Sequence, residues 1–113
     1  MAKMAKVERP TKKSEFEIIF ASRGAEKGWT DLKSTILNFL TDSWDFLTKT
    51  PLEETPNNLH LRGELGKVTK DGKTHTRWQH KPTASGDSRI WFYVIDKKLF
   101  LEQVHTRHPN QTK

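Results

Sequence analysis

The stretch SRIWFYVID, residues 88–96, decides how the rest of the chain is read. Ile90, Trp91, Phe92, Tyr93 and Val94 follow one another without a turn former, and aromatic and β-branched residues suit a pleated, half-buried surface. Turn-forming residues flank the run, Pro82 to Asp87 before it and Asp96-Lys97-Lys98 after it. Strand alternation sorts it into two faces. Ile90, Phe92 and Val94 form a core face. Arg89, Trp91, Tyr93 and Ile95 form the other, which begins on a cation and continues with aromatics.

Working outward, Thr74–Lys81 reads as a preceding strand and Leu99–Thr106 as a following one. In 76–81, Arg77, Gln79 and Lys81 share a face opposite Trp78 and His80, with Trp78 expected to pack on helices. Asp71-Gly72 between Lys70 and Lys73 is a two-residue hairpin signal. Leu59, Leu61, Leu65 and Val68 are expected in one earlier strand. Residues 51–58, with two prolines and two asparagines, read as a loop.

Upstream the period changes. Trp29, Leu32, Ile36, Phe39, Leu40, Trp44 and Leu47 fall at steps of three and four, which is helical. Ser22 or Thr30 suits a helix start, and Thr41-Asp42-Ser43 a second one. One long helix or two in tandem fit equally. Residues 15–21 read as a short, well-buried strand. Residues 1–14 read as a flexible basic arm. The expectation is an α+β domain over 15–113: an N-terminal strand, one long or two tandem helices, then an antiparallel meander packed on them.

Composition narrows the function. The chain has 113 residues, a formal net charge of +6, and no cysteine. The charge favours polyanions or acidic partners. Lack of cysteine removes disulfides, thiolate nucleophiles and Cys-ligated metals. No apolar run approaches the roughly 18–20 residues of a membrane span, and no signal-peptide pattern follows the first lysines, so a cytoplasmic protein without membrane contact is expected. No glycine-rich phosphate loop or Ser-His-Asp signature is present.

Neighbouring strands would gather Arg77, Gln79, Lys81, Arg89, His105 and His108 into one patch. Cations beside Trp91 and Tyr93 fit single-stranded RNA, with phosphates on the cations and bases on the rings. His105 and His108 stand as H-x-x-H. Two imidazoles without a third ligand are a weak metal signal, and no cofactor is expected.

The segments TRWQHK, SRIWFYVID and VHTRHPNQTK, with ASRGAEKGWTDL upstream, resemble the RelE/ParE family of toxins from type II toxin–antitoxin pairs, in an actinobacterial-type branch. The resemblance spans about residues 15–113. It implies a ribosome-dependent mRNA endoribonuclease, neutralised by a cognate antitoxin in a toxin–antitoxin hetero-oligomer. In that family the 2′-OH attacks the adjacent phosphate without a metal. By position the resemblance implies Arg89 for phosphate stabilisation, Lys81 as base or charge stabiliser, and His105 or His108 as acid. Gln79 would position, and Arg107 would hold rRNA or mRNA backbone; the RNA-binding role of Arg77, Trp91 and Tyr93 comes from the strand alternation above. Gln79 stands where a lysine would be stronger, and the family also contains gyrase poisons that cleave nothing. That reading, and a plain RNA-binding module, stay open.

Overall fold

A computed structural model of the chain describes residues 9–106. The N-terminal strand β1 (Glu17–Phe20) is followed by helices α1 (Arg23–Thr35) and α2 (Leu37–Lys49). Then come β2 (Asn58–His60), a 3-10 turn at Gly63–Gly66, β3 (Lys67–Lys70), β4 (Lys73–Thr76), β5 (Trp78–His80), β6 (Arg89–Ile95) and β7 (Lys98–His105). The class is α+β, as expected. Among the described residues, no helix is long and apolar enough to cross a membrane.

Of the two helix starts considered, Ser22 is the first cap. Its hydroxyl accepts from Ala25 N at 3.0 Å and donates to Glu102 O at 3.0 Å, which satisfies an orphan donor and ties the helix to β7. The helices are two in tandem. The break is at Ile36 (φ −135°, ψ 48°), not at Thr41–Ser43, and no proline or glycine marks it.

The main sheet has the order β1-β7-β6-β5-β2. β1 pairs with β7 in parallel, and the other pairs are antiparallel. The simple meander is therefore corrected in three places. The stretch expected as one strand over Leu59–Val68 divides into β2, the 3-10 turn and β3. β3 and β4 form a separate two-stranded ribbon. The return strand breaks at Arg77, whose N donates to Gly66 O and whose O accepts from Leu61 N, outside either ladder. β1 is an edge strand and less buried than expected, with Phe20 41% exposed.

The helices cover one sheet face. Leu32, Leu40 and Leu47 meet Trp78, Ile90, Phe92, Leu99 and Leu101 in one cluster. Ile90, Phe92, Leu99 and Leu101 are fully buried, each worth about 1.5–3 kcal/mol relative to exposure. The core face read from alternation is the core face found, with Val94 half-buried at its end.

Candidate functional site

Antiparallel register pairs two of the candidate residues. Arg89 on β6 pairs with His105 on β7. His80 pairs with Ile90, the last pair of that ladder, and Lys81 follows β5, its backbone N donating to Asn57 O. An arginine and a histidine are thus paired across β6 and β7, with Lys81 just past the end of β5 at the same end of the sheet. His108 and Arg107 lie outside the described residues.

Arg89 is buried. Its Nη1 donates to Gly86 O and Ser88 O, both at 2.8 Å, so the guanidinium also closes the turn before β6. Its Nε is buried with no hydrogen-bond partner. His105 is half-buried, and its Nε2 is likewise buried and unpartnered. Two orphaned polar atoms on register partners are costly, by about 1–3 kcal/mol each, unless a ligand or water completes them. Burial pushes His105 below the usual histidine pKa. Neutral imidazole suits a proton acceptor better than the acid role expected for it.

The rest of this face is more closed than alternation implied. Trp91 and Tyr93 are each only 2% exposed. His105 sets its ring edge-on to Trp91 at 5.0 Å, and Arg77 lies over Trp91 at 5.3 Å. Tyr93 stacks between His75 of the ribbon (6.0 Å) and Phe100 (5.2 Å). The expected stacking of bases on Trp91 and Tyr93 is therefore corrected: these rings pack against the protein's own side chains. Gln79 is committed too, its Oε1 accepting from Trp91 Nε1 at 2.9 Å.

Arg77 is held by a carboxylate that sequence reading missed. A register shift between Trp91 and Phe92 leaves Glu102 unmatched in the β6–β7 ladder. Glu102 accepts from Arg77 Nε at 2.7 Å and Nη2 at 2.8 Å, while Arg77 Nη1 donates to Leu65 O. A bidentate, mostly buried pair of this kind is a structural clamp. Arg77 is thereby neutralised locally, while Lys81 is half-exposed and lines a groove with Asp42, Ser43 and Phe46 of α2.

A second polar cluster sits under the opposite face. Ser43 on α2, His80 on β5 and Asn58 on β2 are all buried. His80 Nε2 lies 2.9 Å from Ser43 Oγ, and Nδ1 lies 3.1 Å from Asn58 Oδ1. The signal for it was present: alternation put His80 beside Trp78, and a buried imidazole needs partners.

Among the described residues no group of three or more side chains could hold a metal ion. No family model matches the chain, and comparison with curated proteins and with solved structures gave no match.

Proposed function

We propose that the chain is a toxin of the RelE/ParE type that cleaves mRNA on the ribosome without a metal. The observation that carries this reading is the Arg89–His105 cross-strand pair, in which Arg89 Nε and His105 Nε2 both lack a hydrogen-bond partner. The net charge of +6 and the strand–helix–helix–sheet order support it.

The chemistry needs three tasks. Neutral His105 takes the proton from the 2′-OH as that oxygen attacks phosphorus. Arg89, with its orphaned Nε, grips the phosphoryl oxygens as charge grows on them. The Lys81 ammonium gives a proton to the departing 5′-oxygen as the P–O5′ bond breaks. The products are a 2′,3′-cyclic phosphate and a 5′-OH end.

A cognate antitoxin is the expected partner. Trp29, Trp44, Leu37 and Leu40 line a groove of about 330 Å³ rimmed by Arg9 and Lys33. Leu37 there is half exposed. An acidic chain with bulky apolar anchors matches that surface in charge and polarity.

The test is primer extension on mRNA in a reconstituted translation reaction. The wild-type chain is expected to leave discrete cuts at codons, and Arg89→Lys and His105→Ala to cut on the order of 10²-fold more slowly. Uncut message with the wild-type protein, or unimpaired cutting by both folded variants, refutes the reading. The closed Trp91–Tyr93 face and the neutralised Arg77 favour one alternative, a toxin that blocks a topoisomerase without cleaving RNA. Its mark is a DNA-damage response with translation intact.

A further inference from the structure

The β3–β4 ribbon stands apart from the main sheet and is poorly built for its own stability. Val68 is its buried apolar side chain, and His75 reaches Tyr93. Two-stranded ribbons are marginal without such anchoring. Lys70 and Lys73 are directly opposite in the register, flanking the left-handed Asp71-Gly72 turn (φ 53° and 76°). Like charges placed opposite one another destabilise a strand pair. Lys67 adds a third exposed cation, contacted by Glu64 at 3.5 Å across solvent, a pairing of little worth. The sequence tolerates this repulsion at the tip of an exposed ribbon.

At the root of the ribbon lies a cavity of about 540 Å³, within the usual range of ligand sites. Its walls include Trp78, His60, Thr74, Thr76, Leu52 and Val94. His60 is set edge-on to Trp78 at 5.7 Å, and its Nε2 lies 2.9 Å from Glu54 Oε1. Trp78 is only 8% exposed and already stacked on Phe92 at 6.2 Å, so the part-exposed His60 ring and the aliphatic walls are what would meet the face of a planar heterocycle. Threonine hydroxyls both donate and accept, so they meet the edge of any base.

We propose that the ribbon and its root form a binding site for single-stranded RNA, with phosphates on Lys67, Lys70 and Lys73 and one unstacked base in the cavity. Cations tracking a backbone beside a ring that takes a base are the general features of single-strand recognition. The proposal rests on the RNA reading above and adds to it a site at the opposite end of β6 from Arg89.

The test uses a 5′-fluorescein 12-mer RNA and the DNA of the same sequence, read by anisotropy between 50 and 200 mM salt. The Lys67→Ala/Lys70→Ala/Lys73→Ala variant is expected to lower the log–log salt slope by about 2, from three phosphates at about 0.7 each. Its melting temperature should hold or rise slightly, since repulsion is removed. Thr74→Leu/Thr76→Leu, which fills the cavity, should weaken binding about tenfold with the slope unchanged. Wild-type slope and affinity in both variants would overturn the site while leaving the cleavage reading intact. Equal or tighter binding of DNA would overturn the RNA assignment. A marked loss of stability in the lysine variant would show that the cations serve the fold instead. Failure of the wild-type chain to bind RNA at all would remove this site, while the cleavage reading stands or falls on the translation assay.

Discussion

Asn58 fixes the state of His80. Its amide nitrogen donates to Pro51 O and Glu53 O, both at 2.9 Å, so its Oδ1 must be the atom facing His80. Nδ1 then carries the proton, and Nε2 accepts from Ser43. Burial lowers the pKa of this imidazole from 6.5 to about 4. In the unfolded chain it protonates near 6.5, so between those values the unfolded state holds the extra proton. Stability is therefore full above about pH 6.5 and falls as pH drops toward 4, by on the order of 3 kcal/mol from this residue. An NMR titration of the folded protein should place the His80 imidazole near 4, and titration near 6.5 would refute the buried, neutral state. Ser43→Ala should cost about 1–3 kcal/mol by leaving Nε2 without a donor, read as a fall in the urea midpoint. The same scale shows what sequence reading delivers. Alternation placed Arg89, Trp91 and Tyr93 on one face, and it placed His80 opposite Gln79. It says nothing about what lies over a face, so the coverage of Trp91 by Arg77 and of Tyr93 by His75 was not legible.

At the level of elements, α1 can lie on β7 because residue 28 is glycine. A Cβ there would meet Val104 O at 2.2 Å and Val104 Cβ at 2.8 Å, and the nearer atom is backbone that cannot rotate away. Gly28→Ala should raise helix propensity yet destabilise the protein by about 2–3 kcal/mol, because overpacking outweighs the gain of up to about 1 kcal/mol. A urea midpoint that rises instead would mean the helix shifts freely on the sheet. The apolar spacing from Trp29 to Leu47 made the helical region legible, and Ser22 marked its start. The break at Ile36 was not, since Ser-Thr-Ile-Leu carries no proline or glycine. Asp71-Gly72 gave the ribbon turn because its backbone demands left-handed residues. The separation of β4 from β5 depends on Arg77's bonds to Gly66 and Leu61, partners that lie far off in sequence.

At the scale of the whole molecule, the sheet is closed by a contact that no local pattern encodes. β1 joins β7 in parallel, Ile18 opposite Leu99 and Phe20 opposite Leu101, about eighty residues apart. Closing so long a loop is entropically unfavourable, so that pairing should form after the more local β5–β6–β7 ladders. Ile18 packs half-buried on the core. Ile18→Ala is expected to cost about 2 kcal/mol. If β1 docks after the main barrier, with a φ-value near 0.2, unfolding speeds up about 15-fold while folding slows only about twofold. Ile90→Val, in the central strand, should cost about 1 kcal/mol and act mainly by slowing folding, by about three- to fourfold. Stopped-flow chevrons of the two variants separate the cases. A large drop in the folding rate of Ile18→Ala would show that the two ends of the chain meet early. The helical layer would then be assembled on a sheet whose edge strand is already in place, and the Arg89–His105 register would be set with that edge closed.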